Sequence, residues 1–143
     1  MALLDAGGDI STPAVAIGRI AWAGPLTVVA SIAAVHVVRQ IVVRLPHVNT
    51  RFVGFGAIPA TADTTVLCSI AVIVFALVSV FHDDGIRRFR WIAFGALLVS
   101  FLPLMGTREI SNVPTWLAVA AMHVAAYVPC VTLLPAASRA RRR

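Results

Sequence analysis

Polar side chains inside an apolar segment are the first candidates for chemistry in this sequence. The segment SIAAVHVVRQIVV, residues 31–43, is almost entirely aliphatic, yet it contains His36, Arg39 and Gln40. A spacing of three and four residues places these three side chains on one face of a helix. An imidazole, a guanidinium and an amide on one face can hold a cofactor, or they can form hydrogen bonds to a neighbouring helix.

A second histidine, His123, lies in the apolar segment AAMHVAAYV, and Tyr127 follows it by one helical turn. His36 and His123 each lie about nine residues, or roughly 13 Å, from the outer end of their predicted helices. Equal depth on neighbouring antiparallel helices is the geometry that a bis-histidine haem or a metal needs. It also suits a hydrogen-bonded cluster, and the surrounding alanines favour close helix contact.

We therefore predict a polar contact between helices that fixes their register, with haem ligated by His36 and His123 as the alternative. The predicted contact consists of His36, Arg39, Gln40, Asp63, His123 and Tyr127. Arg39 lies about six residues, or roughly 9 Å, inside the outer end of its helix. Its side chain can extend to the membrane surface, or it can pair with Asp63 in the first turn of the next helix.

No catalytic motif is present in the sequence: GxSxG, HExxH, P-loop and CxxC patterns are all missing. The acidic residues lie outside the apolar segments or at their ends, whereas a proton-coupled transporter needs an intramembrane carboxylate. We predict no catalytic residues, no metal site and no enzymatic activity.

The two cysteines, Cys68 and Cys130, are predicted to be buried free thiols. Counted from the predicted helix ends, they differ in depth by roughly 15 Å. Bridged cysteines have Cα atoms within about 7 Å of each other. The sequence therefore predicts that these thiols are too far apart for a disulfide.

The composition indicates an integral membrane protein. Hydrophobic residues make up 59% of the 143 residues and charged residues only 13%, against about 25% in soluble domains. The mean hydropathy is +0.91. The net charge of +6 comes from arginines between the apolar segments and at the C-terminus, not from the basic face that nucleic-acid binding needs. We expect a lipid bilayer as the partner, and no nucleic acid.

Four segments qualify as transmembrane helices, which need about 20 mainly apolar residues, and the third of them is short. They cover residues 21–45, 62–81, 91–106 and 114–134. The predicted fold is therefore one all-α domain, a four-transmembrane-helix bundle with up-down topology. Because the first and fourth spans are rich in alanine, we expect them to pack closely against each other.

Arginines also predict the orientation, because they accumulate on the cytoplasmic side of a membrane protein. Eight arginines share one side: Arg19, Arg87, Arg88, Arg90, Arg139, Arg141, Arg142 and Arg143. The other side has Arg44, Arg51 and Arg108, with Arg39 just inside the membrane. We expect both termini in the cytoplasm and an uncleaved first span, because MALLDAGGDISTP lacks the basic start of a signal peptide.

The connection PHVNTRFVGFGAIPA, residues 46–60, is long for a helical bundle. Phe52, Phe55 and Ile58 give it an apolar side, and its glycines together with Pro59 argue against a regular helix. We expect it to lie on the outer membrane surface or to fold over the mouth of the bundle.

The segments ASIAAVHVVRQ, VSFLP and AAMHVAAYV together resemble a family of small bacterial four-helix membrane proteins known only as a domain of unknown function. The resemblance covers roughly residues 19–135 and includes the Met-His pair of the fourth span. The family tends to have Asn where His36 stands and an acidic residue where Leu104 stands. The resemblance supports the architecture and implies no activity, and it makes a ligand role for His36 dispensable.

Three functions fit these features. The lack of soluble domains and catalytic groups favours an accessory or structural subunit that packs against other membrane proteins or itself, for example in a respiratory or photosynthetic complex. The alternatives are a haem- or quinone-binding redox protein that uses His36 and His123, and a small-solute transporter or channel. The expected location is the bacterial cytoplasmic (inner) membrane.

Overall fold

The computed structural model describes residues 17–107, 110 and 112–139, and its regular elements are helices. These are α1 (Ile17–Val42), α2 (Ala57–Phe81), α3 (Gly85–Ser100), α4 (Leu102–Met105) and α5 (Val113–Ser138), with a 3₁₀ turn (Val53–Phe55) before α2. Three helical segments are long and apolar enough to cross a membrane: Gly18–Val42, Ala57–Phe81 and Val113–Ser138. The all-α, multi-span architecture is thus confirmed, and the 16-residue α3 is not one of those three.

Three helices begin at least four residues earlier than the sequence predicts, and α1 starts at Ile17 rather than at residue 21. α2 starts at Ala57 rather than at residue 62 and includes Pro59. A proline in the first turn is compatible with a helix because the backbone N–H groups there have no intrahelical acceptor. α3 starts at Gly85 rather than at residue 91. A Cβ at Gly85 would lie 2.8 Å from Ser79 Cα, so the close approach of α3 to α2 requires glycine.

α1 and α5 run antiparallel along their whole length. At one end, the Asn49 backbone N–H donates to Thr115 Oγ1 (2.7 Å), next to the start of α5. At the other end, Arg19 Nη1 donates to the carbonyl of Arg139 (2.8 Å). The α1–α5 interface is the most extensive in the bundle, which confirms the predicted contact between the first and fourth spans.

The segment α3–α4 carries the chain from one end of the bundle to the other. It begins next to the end of α2, where Phe89 packs against Phe75 with ring centroids 5.0 Å apart. It ends near the start of α5, where Leu104 and Ile110 are buried with Val42 and Phe55. The chain therefore passes along the bundle four times in alternating directions.

Two apolar clusters form the core. The outer cluster lies near the end of α1 and includes Val35, Phe55 and Met122, and the inner cluster contains Phe75 and Leu134. Buried residues between the two clusters belong to neither: Thr27, Ser31, Cys68 and Cys130. This middle layer, defined by those four residues, is the more polar part of the interior.

Candidate functional site

His36 links α1 to α2. Its Nε2 lies 2.8 Å from Thr61 Oγ1, and the Thr61 hydroxyl itself donates to the carbonyl of Ala57 (2.8 Å). Because the single hydroxyl proton of Thr61 is already used, its oxygen accepts and His36 Nε2 donates. His36 Nε2 therefore carries a proton, and the role of this side chain here is an interhelical hydrogen bond to α2.

Arg39 holds the connection between α1 and α2 against the end of α1. Its Nε donates to the carbonyl of Phe55, in the 3₁₀ turn. Phe55 is buried and packs edge-on against Phe52, with ring centroids 5.5 Å apart. The connection thus folds inward at Phe55, in contrast to a loop that only rests on the membrane surface.

Of the two alternatives for Arg39, the pairing with Asp63 is absent from the described part of the structure. Asp63 is exposed on α2, and the one ion pair within the described part of the chain joins Arg88 to Asp84. The physical reason is the early start of α2, which brings the carbonyl of Phe55 within reach of the guanidinium. Gln40 is also exposed and takes no part in the contact.

His123 is separate from His36. Its Nδ1 lies 2.9 Å from the carbonyl of Val119, which can only accept, so Nδ1 donates. Its ring packs against Phe101, with centroids 5.8 Å apart. The structure therefore does not bring the six predicted residues together: His36 contacts α2, and His123 contacts its own helix and Phe101. Within residues 17–107, 110 and 112–139, no group of three potential metal ligands occurs.

The two thiols are in contact, so the predicted separation of Cys68 and Cys130 is wrong. Their Sγ atoms lie 3.5 Å apart, and both thiols are free and buried. With α2 starting at Ala57, Cys68 lies eleven residues from its helix start and Cys130 seventeen from that of α5. This reduces the difference in depth between the two cysteines to about 9 Å. The way in which α2 and α5 pack against each other removes the remaining difference.

Ser31 joins the thiols to α1. Its hydroxyl donates to the carbonyl of Ala126 (3.1 Å), and its oxygen lies 3.8 Å from Cys130 Sγ. The middle layer therefore connects α1, α2 and α5 through side chains that the sequence does not distinguish from ordinary small core residues. Their clearest sequence signal is the placement of a serine and two cysteines inside three different apolar segments.

A cavity of about 200 Å³ lies beside the thiols, between α2, α3 and α5. Its walls are almost entirely apolar, and its polar lining residues are Cys68, Cys130, His123, Tyr127 and Ser100. His123, Tyr127 and Cys130 have four- and three-residue spacing and form one stripe along α5. Within the described residues, this cavity brings two thiols, an imidazole and a phenol together.

A larger cleft of about 1030 Å³, with both charged and apolar lining residues, lies at the end of the bundle where α2 meets α3. Arg87, Arg90 and Arg139 line it, together with Asp84. Arg88 Nε lies 2.6 Å from Asp84 Oδ1, and this hydrogen bond holds the pKa of Asp84 below its usual range. The cleft is thus lined by several cations and by carboxylates, of which one is already paired.

Comparisons with family models, with curated proteins and with solved structures found no match to this chain. The resemblance to the small four-helix family stays a prediction. The class that the fold defines is therefore a helical, multi-span protein with three helices able to cross a membrane.

Proposed function

We propose that this chain is a four-span protein of the bacterial cytoplasmic membrane with both termini in the cytoplasm. The α3–α4 segment, Gly85–Met105, amounts to about 31 Å of helix, close to the roughly 30 Å thickness of the hydrocarbon core. The described arginines support the orientation, because most of those in and beside the helix ends lie at one end of the bundle. These are Arg19, Arg87, Arg88, Arg90 and Arg139, against Arg39, Arg44 and Arg51 at the other end.

Reporter fusions test this topology. A reporter that is active only in the cytoplasm should be active at either terminus, and one that is active only in the periplasm should be active in the 46–56 connection. Periplasmic activity from either terminus would contradict the four-span arrangement.

For its role, we propose a non-enzymatic accessory subunit that packs against another membrane protein or a second copy of itself. One observation carries this proposal. Inside the bundle, Ser31, His36 and Thr115 bond to other elements. In contrast, Asp63 and Gln40 are exposed on helices that can cross a membrane. Neither side chain has a hydrogen bond or ion pair to the rest of the described chain. A carboxylate facing lipid is costly, and a donor on a partner would offset that cost.

Purification in mild detergent followed by mass spectrometry tests the role. We expect a partner or a dimer in fixed stoichiometry with the wild-type chain, its loss with Asp63→Asn, and its retention with Asp83→Asn. Asp83 is the matched control because it is an exposed carboxylate in the α2–α3 connection. Equal recovery with both variants would contradict a contact at Asp63.

An absorption spectrum of the same preparation tests the haem alternative. A Soret band that disappears with His36→Ala or His123→Ala would favour a haem protein over an accessory subunit. The hydrogen bonds of His36 Nε2 to Thr61 and of His123 Nδ1 to Val119 support the accessory role, because they hold the two rings toward different partners.

A further inference from the structure

The paired thiols of the middle layer are positioned for a covalent reaction. Their sulfur atoms lie 3.5 Å apart, and a disulfide bond requires about 2.05 Å. The sulfurs therefore need to approach each other by about 1.5 Å. Pro129 precedes Cys130 inside α5 and removes one backbone hydrogen bond of that helix, which makes this point of α5 easier to bend.

The position of the thiols restricts the oxidants that can reach them. Cys68 is 3% exposed and Cys130 is 4% exposed, in the middle of helices that can cross a membrane. A charged, water-soluble disulfide has no access to such a site, because an isolated charge is costly to bring into the hydrocarbon core. The oxidant must therefore be small, apolar and soluble in the bilayer.

The cavity beside the thiols fits an oxidant of that kind. The cavity is open on the side where Ile70, Ile92 and Ala96 are exposed, so a ring can enter it from the bilayer. Its volume of about 200 Å³ exceeds the roughly 150 Å³ of a cavity that binds benzene. Apolar sites with a few placed polar groups are typical for such ligands. The Tyr127 hydroxyl, which has no hydrogen-bond partner elsewhere in the described residues, can donate to an oxygen of the ring. A neutral imidazole that donates through Nδ1, as His123 does, accepts at Nε2, so this nitrogen suits a hydroxyl of the reduced ring.

We propose that Cys68 and Cys130 form a reversible dithiol–disulfide pair that exchanges electrons with a lipid-soluble quinone bound in this cavity. In the forward direction both S–H bonds break and one S–S bond forms. The two electrons and two protons go to the two carbonyl oxygens of the quinone, which becomes a quinol. The exchange consumes one quinone per chain and covalently ties α2 to α5. This redox state goes beyond the proposed packing role and does not depend on it.

The test uses the purified full chain, reduced and reconstituted into lipid nanodiscs, with ubiquinone-1 as the probe. The chain has two cysteines, so thiol labelling after denaturation counts the pair directly. We expect the loss of both thiols and the formation of one quinol per chain, measured by ultraviolet absorbance. Cys68→Ser and Cys130→Ser should each form no quinol.

A cavity-filling variant keeps the test valid even where loss of a thiol prevents folding. Ala96 lines the cavity, and Ala96→Phe leaves both thiols in place while occupying the space of the ring. It should slow oxidation by ubiquinone-1 by about tenfold or more, the effect of about 1.4 kcal/mol of lost binding. Ala121→Phe is the control, since Ala121 is exposed on α5 and does not line the cavity.

Three results would overturn the proposal. The first is equal oxidation rates in Ala96→Phe and Ala121→Phe. The second is a disulfide that forms with diamide, a small uncharged thiol oxidant, but not with ubiquinone-1. The third is a pair of thiols that stays reduced with both reagents, which would leave them a purely structural contact.

Discussion

The two ends of the bundle hold their polar groups in different ways. At the outer end, Arg39, His36 and Thr115 bond between elements that are distant in sequence, and Thr115 is fully buried. At the inner end, Arg88 and Asp84 are exposed neighbours on one helical turn, and the hydrogen bond from Arg19 to the carbonyl of Arg139 is exposed as well. Hydrogen bonds between elements hold tertiary structure, whereas an exposed pair four residues apart contributes little. We therefore expect the polar contacts of the outer end to contribute more to the stability of the protein than those of the inner end.

We expect the largest loss of stability from the substitution of Arg39. Arg39→Met keeps the apolar stem but leaves the Phe55 carbonyl without its charged donor. Hydrogen bonds to charged groups contribute about 1.5–3 kcal/mol, so we expect a loss of about 2 kcal/mol in the free energy of unfolding, measured by denaturation in detergent. Arg51→Met, at an exposed arginine in the same connection, should cost much less.

A double-mutant cycle of Arg39→Met with Asp63→Asn tests whether the Phe55 carbonyl, and not Asp63, is the partner of Arg39. Because the structure contains no ion pair between the two residues, their effects should add. A coupling energy of about 1 kcal/mol or more would show that the guanidinium contacts Asp63 instead of the Phe55 carbonyl.

Thr115→Val should have the next largest effect. The substitution preserves shape and removes the hydroxyl that accepts from the Asn49 N–H at 2.7 Å. A typical net loss for such a hydrogen bond is about 1 kcal/mol. Thr132→Val is the control on the same helix, because Thr132 is exposed and bonds to its own backbone at Val128. Equal losses in the two variants would mean that the outer contact does not stabilise the bundle.

A smaller effect is expected for the His36–Thr61 hydrogen bond. Interhelical polar contacts in membranes average about 0.6 kcal/mol, and this is the coupling we expect from a cycle of His36→Ala with Thr61→Val. Thr65, one turn further along α2, donates to the Thr61 carbonyl and has no contact with His36. The cycle of His36→Ala with Thr65→Val should therefore show no coupling, and coupling of equal size would place the histidine elsewhere.

We expect the smallest effect on stability from the Arg88–Asp84 pair at the inner end. Because the folded-state pKa of Asp84 is lowered by Arg88, the pair stabilises the protein above the unfolded-state value of about 3.9. The contribution disappears as the pH falls through the lowered pKa. An NMR titration should show the pKa of Asp84 returning toward its ordinary value in Arg88→Gln and staying low in Arg90→Gln. The same pKa in all three proteins would contradict the pairing.

The general architecture could be predicted from the sequence because it depends on long apolar segments and their alanines. The residues at which the helices start were predicted less accurately than the architecture. Pro59 suggested a loop, although proline fits a first helical turn, and Arg87, Arg88 and Arg90 suggested a polar connection. Arginine is a good helix former whose long side chain reaches the membrane surface from within a helix, so α3 includes all three.

The candidate site was harder to predict, for two physical reasons. Arg39 bonds to a backbone carbonyl, and every residue has one, so the sequence does not mark Phe55 as its partner. The contact of the thiols depends on helix starts, because an error of five residues in α2 shifts the depth of Cys68 by about 7.5 Å. His36 bonds to the common residue Thr61 on α2, whereas the sequence placed it in one contact with His123 and Tyr127 of the fourth span.

The extensive interface between α1 and α5 has a consequence for biosynthesis. α1 is the first described helix to leave the ribosome and α5 is the last. About seventy residues separate them, which at 5–20 residues per second takes roughly 4–14 s. During that time the small-residue face of α1 must be shielded by the insertion machinery or by lipid. Truncated chains that end before Val113 should therefore be substrates for membrane quality control.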